Sequence, residues 1–297
     1  MRDGLDTSHV RFVEAAGVPT RIYEAGEGEP LVLIHGGWYG SLYSLDCWSL
    51  NLHELAHDFH VVAWDKLGQG HTGNPASEDG YTYEALLQHS IALFDLLDLG
   101  PAHLVGHSMG ALLATRIALD RPDLTRTLVV IDTNTLAPND ARYPRSQFYL
   151  DLAKRTPPGP PTRETVRMEP DAQSLSNAHV TDDYVDRMLA IAQLPKQAEA
   201  AALAPTLRDA VWGVSLEATK ARTLAVIEER GTGAPTLVVW GANDVSAPLP
   251  LASLLYERIA PKTEHAELHV IAHAGHYVYR EQPDAFLRLV RGFCLGR

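Results

Sequence analysis

Ala102-His103-Leu104-Val105-Gly106-His107-Ser108-Met109-Gly110-Ala111-Leu112 decides how the rest of the chain is read. A short apolar run ends in Gly-His-Ser-Met-Gly, after which Ala111, Leu112, Ala114, Ile117 and Ala118 repeat at helical spacing as far as Pro122. The pattern predicts strand, sharp turn, helix. Gly106 and Gly110 flank Ser108 because such a turn is too tight for side chains, and the strained serine is pushed out above the sheet as a nucleophile. A Gly-x-Ser-x-Gly match alone carries a false-positive risk; the strand before it and the helix after it supply the context the motif needs.

Working outward toward the amino terminus, Leu31-Val32-Leu33-Ile34-His35 is a continuous apolar strand of the kind buried on both faces of a parallel sheet. It stops at His35-Gly36-Gly37-Trp38-Tyr39-Gly40, where glycines just past a strand's carboxyl end let backbone N–H groups approach a ligand. Gly37 and Met109 are therefore the candidate oxyanion donors. Before this strand, Val10–Glu14 and Val18–Glu24 alternate around Ala16-Gly17 as a hairpin; after it, Trp48–His60 has helical periodicity and Val61–Asp65 is a second buried strand. Tyr83–Leu99 reads as a helix and Leu128–Asp132 as another strand.

Strands and helices alternating at this spacing predict an α/β fold with a doubly wound, mostly parallel sheet. From Thr133 to about Arg222 the alternation breaks: no strand-like run occurs, and Asp182–Leu194, Lys196–Leu203 and Leu207–Leu216 read as amphipathic helices. This gives a core of residues 1–134 and 223–297 with an inserted helical cap over 135–222. The sheet resumes at Pro235–Trp240 and Glu267–Ile271.

A serine hydroxyl needs a base within hydrogen-bond reach, itself oriented by a third group. Asp244, in Gly241-Ala242-Asn243-Asp244, and His276, in Ala274-Gly275-His276, each follow one of the resumed strands, so Ser108, Asp244 and His276 all fall in loops at strand carboxyl ends. Asp132 is a rival acid and His273 a rival base. A competing motif, His53-Glu54-Leu55-Ala56-His57, has zinc-protease spacing on a predicted helix, but no glycine and third histidine follow at the extended spacing.

Lys+Arg of 25 against Asp+Glu of 37 gives a net charge of −12, which offers no electrostatic support for a nucleic-acid or anionic-membrane partner. No apolar run is long enough for a membrane span and Met1-Arg2-Asp3-Gly4 lacks a signal-peptide core, so a cytoplasmic location is expected. Cys47 and Cys294 are too few for a disulfide framework. No metal or organic cofactor is implied.

The elbow, the His-Gly-Gly loop and the Asp and His loops resemble the α/β-hydrolase superfamily over nearly the whole chain. Within it, Leu33–Gly40, Asp65–Pro75, Asp132–Pro138 and Val180-Thr181-Asp182-Asp183-Tyr184-Val185-Asp186-Arg187 are similar to the meta-cleavage-product hydrolases, which break a C–C bond in vinylogous 1,5-diketones of the 2-hydroxy-6-oxohexa-2,4-dienoate type formed in aromatic degradation. The resemblance implies a cap arginine, Arg187, that binds the dienoate carboxylate, a small-molecule substrate and a homodimer. Gly36, Trp38, His107 and Tyr277 complete the expected substrate-binding set, with Tyr39 and Trp212 as further aromatic pocket walls. A carboxylesterase or lactonase using the same Ser, His and Asp is the alternative enzyme, and a non-catalytic binding protein the alternative from another class.

Overall fold

A computed structural model describes residues 4–144 and 147–296; Met1-Arg2-Asp3, part of the start read above, lie outside the described residues. Eight strands form one sheet: β1 (Val10–Ala15), β2 (Val18–Ala25), β3 (Pro30–Ile34), β4 (His60–Trp64), β5 (Ala102–His107), β6 (Thr125–Ile131), β7 (Thr236–Gly241) and β8 (Ala266–Ile271). Their order is β1-β2-β4-β3-β5-β6-β7-β8, antiparallel through β2/β4 and parallel from β4 onward. The strand that carries Ser108 at its end is thus an interior one.

The helices are α1 (Leu52–Leu55), α2 (Tyr83–Leu97), α3 (Met109–Asp120), α4 (Gln147–Arg155), α5 (Arg163–Gln173), α6 (Asp182–Ala192), α7 (Pro195–Leu207), α8 (Gly213–Arg230), α9 (Pro250–Ile259), α10 (Val278–Glu281) and α11 (Pro283–Leu295). Why the strands read as unbroken apolar runs follows from their two covered faces. Val32, Ile34, Leu104, Val130 and Val238 point into the core layer shared with α2, α3 and α9, while Leu31, Leu33, Val105, Val129 and Val239 point into the layer shared with α11. Each such side chain, fully buried, contributes about 1.5–3 kcal/mol, so both helical layers are needed to seat the sheet.

One expected helix is corrected. Trp48–His60 does not form a continuous helix; a 3-10 turn, Leu45–Trp48, precedes the single α-turn of α1. Ser44 Oγ accepts the Asp46 N–H at 3.2 Å and so starts the first turn early, and the Asn51 side-chain amide donates to the Tyr279 carbonyl at 2.9 Å. Periodicity there reports burial of Leu52, Leu55 and Phe59 against the core, not helix length.

The insert after β6 is helical, and no strand occurs in it among the described residues. Beyond the expected helices it contains α4 and α5, the latter begun by a capping box between Thr162 and Thr165. Residue 222, taken as the edge of the cap, falls inside α8, which runs unbroken to Arg230 and packs on α2, α3 and α9. No helix among the described residues is long and apolar enough to cross a membrane.

Candidate active site

The chain leaves β5 and enters α3 through Ser108 at φ 54°, ψ −120°, a conformation that L side chains rarely adopt. Its neighbours allow nothing larger than glycine. A Cβ on Gly110 would run into the carbonyl oxygens of Ile34 and His35, and one on Gly106 into the Gly110 carbonyl and the Ala111 Cα. Two backbone bonds pin the strained residue: its N–H donates to the Ile131 carbonyl at 2.8 Å, and its carbonyl accepts the Ala111 N–H at 3.0 Å.

Asp244 and His276 meet from the loops after β7 and β8. His276 Nδ1 lies 2.6 Å from Asp244 Oδ2, with both side chains buried. Asp244 Oδ1 accepts from the Ser246 N–H at 2.7 Å, the Ser246 hydroxyl at 3.0 Å and the Ala247 N–H at 2.8 Å. A carboxylate saturated in this way places the imidazole proton on Nδ1, which leaves Nε2, buried and without a hydrogen-bond partner, as a lone-pair base. The imidazole is also held through its backbone: the His276 N–H donates to the Gln173 carbonyl of α5 at 2.9 Å, and His107 Nε2 donates to the His276 carbonyl at 2.9 Å.

The rivals fall elsewhere. Asp132 Oδ1 accepts the Gly241 N–H at 2.7 Å, and burial, reinforced by the charge of Asp244, raises its carboxyl well above the usual range. His273 is exposed.

Gly37 sits at φ +78°, and a Cβ there would collide with Ser41 and Tyr43. Among the described residues its N–H has no backbone partner, and Met109, the first residue of α3, has none within its helix. Both line a cavity of about 140 Å³ between sheet and cap, together with Ser108, Trp38, Glu169, Arg208 and Trp212.

Of the expected substrate-binding residues, only Trp38 lines this cavity. Arg187 is a correction: α6 buries Tyr184, Val185 and Met188, and this turns the Arg187 guanidinium to Asp46 at 3.7 Å and Ser49 at 3.3 Å. His107, fully buried, spends both ring nitrogens on His276 and the Tyr279 hydroxyl. Tyr277 is stacked on Tyr43, with ring centroids 5.7 Å apart, and Gly36 packs against the His107 ring and the Ser108 side chain, leaving neither on the wall. Trp212 lines this cavity, and Tyr39 lines an adjoining apolar chamber under the cap that shares Trp38, Arg208 and Trp212 with the first.

Three residues were missed. Arg208 opens a π-helical turn, Arg208–Trp212, just past Pro205, and its guanidinium lies 4.5 Å from the centre of the Trp38 ring. Glu169 of α5 makes no hydrogen bond or ion pair among the described residues; burial pushes its carboxyl up to about 7 against the pull of His276. Gln173, fully buried, bonds Ser246, Tyr149 and Tyr43 and so ties α5 to the Asp244 loop. Pro205, between the predicted helices Lys196–Leu203 and Leu207–Leu216, was the one available signal, for Arg208.

The zinc-protease spacing does produce a cluster: the ligand atoms of His53, Glu54 and His57 lie within 4.8 Å of one another. Both histidines are exposed, Glu54 lies 3.8 Å from Arg291, and none of the three lines the cavity.

A strained serine, a buried imidazole with a free nitrogen and two unpaired N–H groups facing one cavity are what acyl transfer by a serine nucleophile requires. Comparison with known proteins gives the family. The chain is 28% identical over 284 residues to the 2-hydroxymuconate semialdehyde hydrolase of Pseudomonas sp. (strain CF600), covering 95% of this chain and 93% of that protein. It is also 28% identical, over 95% of each chain, to a 2-hydroxy-6-oxo-2,4-heptadienoate hydrolase of Pseudomonas putida. The crystal structure of the meta-cleavage product hydrolase from Pseudomonas fluorescens IP01 superposes with a TM-score of 0.76 at 25% identity, over 96% of this chain and 97% of that one. The alpha/beta hydrolase family profile matches residues 31–289. The chain belongs to the alpha/beta hydrolase family and is a hydrolase.

Proposed function

We propose that this hydrolase cleaves the C–C bond next to the keto group of a 2-hydroxy-6-oxohexa-2,4-dienoate-type substrate, with Ser108 as nucleophile, His276 as base and Asp244 as the group that orients it. The dienol first ketonises, so that the carbon to be expelled can leave as an enolate. Ser108 Oγ then adds to the C6 carbonyl while His276 Nε2 takes its proton, and the Gly37 and Met109 N–H groups hold the oxyanion, each worth on the order of 3–4 kcal/mol at the transition state. The C5–C6 bond breaks, the proton on His276 passes to the departing carbon, and water, activated by the same imidazole, frees the acid from the acyl-enzyme.

The observation that carries this reading is the guanidinium of Arg208 over Trp38, in the same cavity as Ser108. An aromatic-walled cavity with one cation and a serine at its floor suits an elongated, unsaturated acid whose carboxylate lies away from the scissile bond. The names of the relatives support the same class of substrate.

Stopped-flow absorbance with a yellow 2-hydroxy-6-oxohexa-2,4-dienoate, run beside a p-nitrophenyl ester, tests it. Rapid bleaching of the dienoate that disappears in Ser108→Ala is the expected result. Rapid ester turnover beside an inert dienoate overturns the C–C assignment and leaves a carboxylesterase or lactonase.

A further inference from the structure

We propose that Lys66 is a positioning residue of the oxyanion site: its side chain, buried beneath the His35-Gly36-Gly37 loop, holds the Gly37 carbonyl and sets a positive charge against the loop that lines the cavity with Ser108. This extends the serine-nucleophile part of the proposed function and is independent of which bond is cleaved.

Lys66 follows β4, is 1% exposed, and donates from Nζ to the Gly37 carbonyl at 2.8 Å. Its backbone N–H donates to His35 Nε2 at 3.1 Å, and His35 Nδ1 in turn donates to the Gly36 carbonyl at 2.8 Å. Two successive carbonyls of the loop are therefore tied down from one side. In a trans peptide the N–H points opposite to the C=O. Fixing the Gly36 carbonyl turns the Gly37 N–H away from His35, and fixing the Gly37 carbonyl turns the Trp38 N–H away from Lys66. Neither N–H has a backbone partner, and Gly37 and Trp38 both line the cavity above Ser108.

The charge itself needs an explanation, because a buried ammonium without a carboxylate is costly. The adjacent Asp65 does not supply one: its oxygens accept from the Leu45 N–H at 2.7 Å and the His71 N–H at 2.7 Å and face Arg21. The titratable groups that face Lys66 are His35 from the loop after β3, Cys47 from the turn before α1 and His107 from the end of β5. Burial holds both histidines well below their usual range, hence neutral, and pushes the Cys47 thiol up to about 12. Among the described residues no carboxylate pairs with the ammonium, and burial brings its own ionisation down to about 7. The negative charge that the reaction creates is the one that forms when Ser108 adds to its substrate, in the cavity that Gly37 lines.

The sign of the pH effect follows. Below pH 7 Lys66 is charged and assists; as pH rises through 7 the charge is lost and only a neutral N–H donor to Gly37 remains. The probe is a fluorophosphonate, whose P–O oxygen occupies the oxyanion position when Ser108 displaces fluoride. Its labelling rate is measured from pH 5.5 to 9 on the full chain. Relative to the trend set by the imidazole, the wild-type rate should decline above pH 7; Lys66→Met should lower the rate at pH 6.5 about 10-fold and erase that decline. Lys66→Gln, which keeps a donor for Gly37 without the charge, should also erase the decline while recovering part of the rate. Variants that label like the wild type at every pH overturn the proposal. Should Lys66→Met fail to fold, Lys66→Gln and the wild-type profile decide: a profile unchanged by Lys66→Gln overturns the charge. A wild type that labels with this profile yet leaves the dienoate intact removes the C–C reading and supports Lys66 in its role.

Discussion

The floor of the site and its roof are built to different standards. On the floor, Ser108, Asp244 and His276 are each at most 5% exposed, and the Asp244 carboxylate and the imidazole Nδ1 have named partners within 3.0 Å. On the roof, Arg208 and Asp209 are exposed, Arg208 is steadied by the face of Trp38 and by no hydrogen bond among the described residues, and Glu169 has no partner there at all. On the proposed function, the groups that would meet reacting atoms within a fraction of an ångström are the ones locked by the sheet, and the groups that would choose a substrate are the ones left unsatisfied. Catalysis should therefore fail abruptly with changes in the floor, and selectivity should drift with changes in the roof.

The largest expected effect tests the floor. In Asp244→Asn the amide oxygen keeps the Ser246 and Ala247 N–H groups and its NH2 is turned to donate to His276 Nδ1, so the imidazole takes the tautomer with its proton on Nε2, and turnover should fall about 10³- to 10⁴-fold with KM little changed. Steady-state kinetics beside a thermal unfolding curve checks this. A loss under about tenfold in folded protein would return the acid's role to Asp132.

The same division sets what could be read from the chain alone. Ser108, Gly106 and Gly110 were legible because a turn this tight leaves no other residue types possible, a constraint satisfied within five positions. Asp244 and His276 were legible because each follows a strand. The roof was not. Arg187 sits on a well-formed amphipathic helix, but periodicity does not say that its neighbour is the buried pair of Asp46 and Arg21, joined by two 2.9 Å bonds. Arg208 faces the cavity only because the helix ending at Leu207 widens into a π-turn, an irregularity with no period of its own. Tyr277 and His107 are near the serine in sequence logic and in space, yet ring packing and hydrogen bonds consume them. Lys66 gave no signal, since a lone lysine after a strand is ordinarily solvated.

The next effect, on the roof, separates binding from chemistry. Removing the guanidinium in Arg208→Ala should raise KM for the dienoate about 10- to 100-fold, the worth of a charge-assisted hydrogen bond, and leave turnover of a neutral p-nitrophenyl ester unchanged. Equal losses on both substrates would show that Arg208 supports the cap fold through Trp38 and does not read a carboxylate.

The smallest effect falls on the residue that the sequence placed in the roof and the structure places outside the cavity, against Asp46 and Ser49. Arg187 lies 3.7 Å from an Asp46 that already holds Arg21 through both of its oxygens, so its charge is the third member of a network that survives without it. Arg187→Ala should leave kcat and KM for the dienoate within about twofold and lower the unfolding free energy by ~1 kcal/mol, read as a shift in the urea midpoint at constant slope. Arg208→Ala should do the reverse, changing KM while leaving the midpoint in place. Arg187 lies within α6 and Arg208 just past the end of α7 in the same cap, and the pair of variants asks whether position in the cap or access to the cavity decides which one the substrate meets. A dienoate KM that rises in Arg187→Ala and not in Arg208→Ala would mean that the cap rearranges on binding and brings a residue from outside the cavity to the substrate.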